Sequence, residues 1–280
     1  MNKIKVYTPD NALQNGYFFI IREIFAELKN NKWLILQLFK RDLLSVYKQS
    51  MLGVLWAFIF PLVSVGTFII LNRSGIFTIG ETGIPYSVFA ITGMAFWQLF
   101  ATGITSASGS LVKAGSMIVK INFSKKSLVI ASLGQSVISF LVQIILLVIL
   151  FVYFGLTPEW KIIFLPLFAV PIILFAMGFG FIFSILNGIV RDIGNIIAIL
   201  MTFFMFLTPV LYPKPETGLL AKISEFNPMY YMVSYPRDII LTGQSDIFNG
   251  FYISALLSVF IFFICIFIFH LTESRVSERI

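Results

Sequence analysis

Few residues in this 280-residue chain are of a type that does covalent chemistry, and none has the neighbours such chemistry needs. The single histidine, His270, ends an apolar run with no second ligand beside it in sequence. The single cysteine, Cys265, lies inside the same run, which excludes disulfides and thiolate metal sites. No HExxH, no CxxC and no GxxxxGK[ST] phosphate loop occurs. The apolar runs are almost free of charge, whereas a proton- or sodium-driven carrier, or a membrane enzyme with an acid–base pair, needs ionisable groups there. The expectation is a chain that is not an enzyme, holds no metal and no cofactor, and takes any energy it uses from a partner. What the runs hold in quantity is aromatic: 32 Phe, 10 Tyr and 4 Trp. Tyr86, Phe89, Phe96, Trp97 and Phe100 crowd one stretch, Phe203, Phe204 and Phe206 another, and Tyr230, Tyr231 and Tyr235 a third. Aromatic faces hold sugar rings by apolar and CH–π contact without fixing a register, which suits the lining of a channel along which a polymer slides. Packing and lipid contact are the alternative roles for the same rings.

The elements that position these residues follow from composition. Apolar residues make up 58% of the chain and charged ones 12%, where a soluble domain carries about a quarter charged. Six apolar runs, at about 51–72, 85–107, 128–154, 162–186, 194–212 and 248–271, each match a hydrocarbon layer of ~30 Å. Backbone in lipid must satisfy its own hydrogen bonds, and the alternation of a barrel strand is absent, so the runs are helices. The predicted fold is an all-α polytopic membrane protein with six transmembrane helices, its membrane domain spanning 47–272 between a cytoplasmic N-terminal part, 1–46, and a short tail, 273–280. Residues 1–16 are polar and the first apolar stretch is broken by Arg22, Glu23, Glu27 and Lys29, so no cleavable signal peptide is expected. With the N-terminus inside, fifteen of the twenty Lys and Arg residues fall on the cytoplasmic side. That bias orients the chain with both termini cytoplasmic, and it accounts for the net charge of +7 without nucleic acid.

Two segments do not read as spans. In 17–46, Ile21, Ile24, Phe25 and Leu28 share one helical face while Arg22, Glu23, Glu27 and Lys29 occupy the other, as in an amphipathic helix lying in the cytoplasmic interface. Residues 213–247 are broken by Pro213, Pro215, Pro228 and Pro236 and read as re-entrant helices on the outer side, between the fifth and sixth spans.

Four stretches in order resemble the permease subunit of a type-2 ABC transporter, in the branch that exports O-antigen, teichoic acid or capsular polysaccharide. They are RDLLSVYKQSMLGVLWAFIFPL at 41–62; PYSVFAITGMAFWQLF at 85–100, running on to SLVKAGSMIVKINF at 110–123; Arg191-Asp192 followed by TPVLYP at 208–213; and Asn227-Pro228-Met229 followed by Arg237-Asp238. The family usually carries a proline where this chain has Ser124.

The resemblance implies a homodimer in the inner or plasma membrane, with two separate ATP-binding subunits docked on the cytoplasmic side and ATP with Mg held by them. It implies a lipid-linked polysaccharide as cargo; a lipid or drug exporter of the same family and an energy-independent channel are the alternatives. Residues 109–127 then become the segment that couples to the ATPase, with Lys113, Lys120, Lys125 and Lys126 reaching its acidic groups or lipid phosphates. Arg191 and Asp192 form an inner turn, Asp192 suited to capping the next helix. Arg41, Tyr47 and Lys48, where the interfacial helix meets the first span, are expected to receive the pyrophosphate headgroup by charge-assisted hydrogen bonds, the first and fifth spans parting to admit it. Snorkelling anchors are the alternative for these cations.

Overall fold

The structure is a computed structural model that describes residues 17–47, 52–53, 55–74, 82–115 and 124–276. Among these residues all regular structure is helical. In chain order the helices are α1 (Tyr17–Asn30), α2 (Lys32–Tyr47), α3 (Leu55–Arg73), α4 (Tyr86–Lys113), α5 (Lys125–Ser132), α6 (Gly134–Phe154), α7 (Leu165–Ile189), α8 (Asp192–Leu207), α9 (Leu219–Phe226), α10 (Pro228–Leu241) and α11 (Phe248–Val276). A short 3₁₀ turn, Trp160–Phe164, leads into α7.

Among the described residues, four stretches are long and apolar enough to cross a membrane: Tyr86–Lys113, Lys125–Phe154, Trp160–Ile189 and Phe248–Glu273. They correspond to the second, third, fourth and sixth expected runs. The first and fifth are shorter apolar helices, Leu55–Leu71 and Asp192–Leu207. The 16 residues of α8 reach about 24 Å at 1.5 Å per residue, less than the ~30 Å of hydrocarbon. α8 stops early because Pro209 forces the residue before it out of helical backbone, and Thr208 is extended at φ −107°, ψ 129°.

α4 is the axis of the bundle. Of its apolar window 83% is buried inside the protein, against 33–39% for the other three. α6 and α7 pack along it, α3, α8 and α10 touch it, and α11 packs on the far side of α7. Small residues let these helices approach closely. A Cβ at Gly180 would meet that of Ala107 at 2.5 Å, and one at Gly178 would lie 3.2 Å from the backbone of Phe262.

The amphipathic segment expected over 17–46 is two helices, turning at Asn31, whose side-chain amide donates to Glu27 O at 2.9 Å. Ile20 and Ile24 of α1 and Leu38 of α2 join Phe262, Cys265, Ile266 and Phe269 of α11 in a separate apolar cluster. That end of the bundle is here called the near end. The segment between α8 and α11 forms α9 and α10 at the far end, joined at Asn227, whose Oδ1 accepts from Met229 N at 2.9 Å with Pro228 as the first helical residue.

Substituting Gly180→Ala in α7 inserts a methyl where no room exists, at a cost of about 1–3 kcal/mol. The expected outcome is a lower unfolding temperature in detergent, restored when Ala107→Gly is added to the same chain.

Candidate functional site

α3, α4 and α8 border a groove of about 540 Å³. Its apolar wall includes Met94 and Trp97, and its polar groups are Ser64, Thr67, Gln98, Thr102, Thr105 and Thr202. Among the described residues, none that lines it is charged. The hydroxyls of Thr67, Thr105 and Thr202 donate to Val63 O, Ala101 O and Ala198 O of their own helices at 2.9–3.1 Å. A hydroxyl has one proton to give, so these present acceptor oxygens to the groove. Thr102 donates to Gln98 Oε1 at 3.1 Å, which leaves the Gln98 amide protons as donors. Such a surface exchanges weak, neutral hydrogen bonds with a polyhydroxylated chain and gives an ion no counter-charge.

The far end of the bundle holds a buried arginine. Arg237, 3% exposed, donates from Nη1 to Pro209 O at 3.2 Å and Val210 O at 3.0 Å, and from Nη2 to Ser234 Oγ at 3.0 Å. Its guanidinium lies 3.8 Å from the centre of the Phe89 ring, and Asp238 Oδ1 is 4.0 Å from its Nε. Burial pushes the guanidinium down to about 10, with the Asp238 charge opposing that shift, so it stays protonated at neutral pH. Gly93 makes the contact possible: a Cβ there would lie 2.3 Å from Val210 O and 3.2 Å from Arg237 Nη1. Around it, Asn227 Nδ2 donates to Thr208 Oγ1 at 2.8 Å, Thr208 Oγ1 to Phe204 O at 2.9 Å and Tyr86 OH to Leu211 O at 2.9 Å.

At the near end a small polar pocket of about 50 Å³ brings Arg41 of α2 beside Lys113 of α4, with Ser110, Ser132 and Gln135 in its wall. Arg41 is held by Asp42 through Nε at 2.9 Å and Nη2 at 2.7 Å. Ser110 and Ser132 donate to backbone carbonyls at 2.7 Å, again turning acceptor character outward. Next to the pocket, Lys126 is buried between Glu27 and Glu273. Burial works to raise the Glu27 carboxyl, but the charge and hydrogen bond of Lys126 outweigh it and hold it below the ordinary carboxylate value.

Residues 34–241 match the family profile of the ABC-2 type transporter. The chain belongs to the ABC-2 type transporter family. It is 31% identical over 229 residues to an O-antigen export system permease protein RfbA of Klebsiella pneumoniae, covering 80% of this chain and 85% of that one. A second K. pneumoniae protein of that name is 28% identical over 232 residues, with 80% and 85% covered. The Myxococcus xanthus protein of that name is 25% identical over 191 residues, with 68% and 72% covered.

Within this ABC-2 chain the expected site residues divide by location. Of the aromatics, Phe203 is exposed on α8, and Trp97 borders the groove but is 2% exposed and packed on Phe100 and Phe204. Phe96 and Phe100 do not line it. They are 0% and 2% exposed, Phe96 against Phe140 of α6 and Phe100 stacked on Phe175 of α7, and a ring packed on both faces has none left for a sugar. Phe204 bridges Trp97 and Phe100 edge-on. Phe89 and Tyr86 serve the Arg237 contact. Tyr230 is buried against Tyr231, with the Lys214 ammonium 5.6 Å from its ring centre, and Tyr235 stacks on Phe251.

Among the cations, Lys113 is exposed and Lys125 half-buried. Lys126 is not an exposed contact: it is 1% exposed and paired within the chain. Lys48 and Lys120 lie outside the described residues, as does the side chain of Tyr47 at the end of α2. Arg191 and Asp192 are exposed at the start of α8. The hydrogen bond that caps this helix comes instead from Asn187 of α7, whose Oδ1 accepts from Gly194 N at 2.9 Å while its Nδ2 donates to Ser108 O of α4 at 3.0 Å. Asp192 adds only its charge to the first turn. The polar wall of the groove was missed, although Gln98, Thr102 and Thr105 recur at i, i+4 and i+7 on one face of a span.

Replacing Arg237 by Met strands two buried carbonyls, each at about 1–3 kcal/mol. Arg237→Lys keeps the charge without the fork that spans both oxygens, so it rescues little. Both variants, and Gly93→Ala, are expected to unfold at lower temperature and to accumulate less in membranes.

Proposed function

We propose that this chain is the membrane subunit of an ATP-driven exporter of a lipid-linked, O-antigen-like polysaccharide across the inner or plasma membrane. It works as a homodimer with two ATP-binding subunits, which hold ATP and Mg; the chain itself is not an enzyme and needs no cofactor. The near end is the cytoplasmic one, as the bias of basic residues requires. α3 and α8 complete a set of six spans, their shortfall in length taken up by local thinning of the bilayer, and α9 with α10 re-enters from the outer side.

The observation that carries this proposal is the uncharged, hydroxyl-lined groove. α3 and α8 flank it and expose large apolar residues beyond it, among them Phe60 and Leu62 on α3 and Leu200 and Phe203 on α8. A second copy set against these faces buries them and turns two grooves into one channel. Neutral acceptors and a few amide donors suit sugars, which are rich in hydroxyls. A lipid or drug cargo has less use for such a row of oxygens.

The pyrophosphate headgroup is read at the near-end pocket. There Arg41 has Lys113 as its second cation, with the Ser110 and Ser132 hydroxyls beside them, and the α2–α3 junction that carries Tyr47 and Lys48 is next to it in sequence. Lys125, Arg191 and Asp192 then remain, with Lys120, as the groups offered to the ATP-binding subunits.

A strain lacking the chain, complemented with variants, tests the proposal. Thr102→Trp fills the groove and is expected to abolish surface polysaccharide while lipid-linked polymer accumulates inside; Thr102→Ser keeps export. Arg41→Glu with Lys113→Glu has the same phenotype, with membrane insertion and co-purification of the ATP-binding subunit intact. Normal surface polysaccharide in the Thr102→Trp strain rejects the groove as the path.

A further inference from the structure

Lys126 ties together three pieces of chain that are far apart in sequence. It is 1% exposed, and its ammonium donates to Glu27 Oε2 of α1 at 2.9 Å and to Glu273 Oε2 of α11. Glu273 turns its other oxygen to the backbone N–H of Lys125 at 2.6 Å, so one carboxylate grips two consecutive residues at the start of α5. Around the charges, Ile24 of α1, Leu38 of α2, Leu128 and Val129 of α5 and Phe269 of α11 belong to one apolar cluster. At the other end of α5 the Phe39 ring of α2 lies so close to Gly134 that a Cβ there would meet it at 2.0 Å.

Anchorage alone does not call for charge at this position. An apolar side chain of similar length fills the same space without the desolvation cost of a buried ammonium and two carboxylates. What the ion pair adds is direction and stiffness: one donor bonded to two fixed acceptors holds its distance to both, and parting them leaves charge in an apolar pocket. Movement at the start of α5 is therefore passed to α1 and α11 rather than absorbed. The same short helix contributes Ser132 to the wall of the pocket that contains Arg41, so α5 adjoins both the ion cluster and that pocket.

We propose that Lys126 is a positioning residue of the transport cycle, which passes motion imposed on α5 by the docked ATP-binding subunits to α1 and α11 together. This rests on the near end being the side on which those subunits dock. It assigns Lys126 a role inside the chain, in place of a contact on the ATPase.

The test uses the whole complex in nanodiscs. The exposed Lys29 of α1 is replaced, Lys29→Cys, in a Cys265→Ala background, and carries an environment-sensitive fluorophore. ATP with vanadate is expected to shift its emission in the otherwise unaltered protein. In Lys126→Met the shift and the glycan exported per ATP both fall about tenfold, the scale of a coupling change of 0.5–2 kcal/mol, while ATP hydrolysis persists; Lys126→Arg restores both. Lys126→Met leaves two carboxylates facing each other, so if it fails to assemble the uncharged variant Glu27→Gln/Lys126→Met/Glu273→Gln is used, with the same loss expected. An unchanged shift in the uncharged variant overturns the proposal, as does a proportional fall in hydrolysis and export that leaves their ratio intact. If the label responds to ATP through Lys126 but no glycan moves, the linkage stands and the cargo assignment fails.

Discussion

A chain that leaves a helix in apolar surroundings must find partners for the carbonyls of the turn that follows, and here one buried arginine supplies two of them. Thr208-Pro209 stops α8 before it has reached the length of a span, and Arg237 then holds Pro209 O and Val210 O. A guanidinium alone has enough fixed donors to serve two carbonyls and a serine while its flat face rests on Phe89. Its position requires Gly93 on α4, because any side chain would collide with Val210 O. It requires α10 to run back toward α4, which Asn227 achieves by capping α10 and hydrogen bonding Thr208 at the same turn. The far end of the fold is a set of consequences of that one interruption.

α8 is consequently fastened at its ends. Asn187 caps its start from α7 and reaches α4 at Ser108 O, while the Arg237 and Asn227 contacts hold the turn beyond its last residue. Between them only Ile197 is buried. α4 is the opposite case, buried along most of its length by α6 and α7. The groove therefore has one wall set into the core and one held by polar contacts at its two ends. Specific hydrogen bonds keep α8 in register where apolar packing within the chain is too thin to do so.

How much of this was legible in the sequence depends on whether a signal is local. Apolar runs are local, and all six emerge as helices, because a stretch of apolar side chains with self-satisfied backbone has little alternative. The early stop of α8 was also available at Thr208-Pro209, but averaging hydrophobicity across 194–212 hides a single proline. Gly93, TPVLYP, Asn227 and Arg237 were each visible as pieces of a family pattern, yet that they meet at one point depends on the fold. The fate of the aromatics was not legible, since Phe203, exposed, and Phe204, packed on Trp97 and Phe100, are neighbours of the same type that differ only in which way they face. Lys126 misled for a physical reason. A lysine in a basic loop is expected at the surface, and burial becomes tolerable only through Glu27, 99 residues away, and Glu273, 147 away.

The distribution of charge separates the tasks of the molecule. A fixed ion in a low-dielectric path attracts and holds whatever carries the opposite sign, and it stays costly whenever the path is empty. In the path proposed for the polymer, neutral hydroxyls and an amide avoid both difficulties, because each bond to a passing chain replaces one of similar strength and none becomes a trap. The buried ionic contacts at the near end lie among helices drawn from both ends of the chain, where rigid links between elements are most useful. In the proposed cycle, an uncharged path and a charged linkage are thus complementary requirements of moving a bulky polymer with energy delivered from outside the chain.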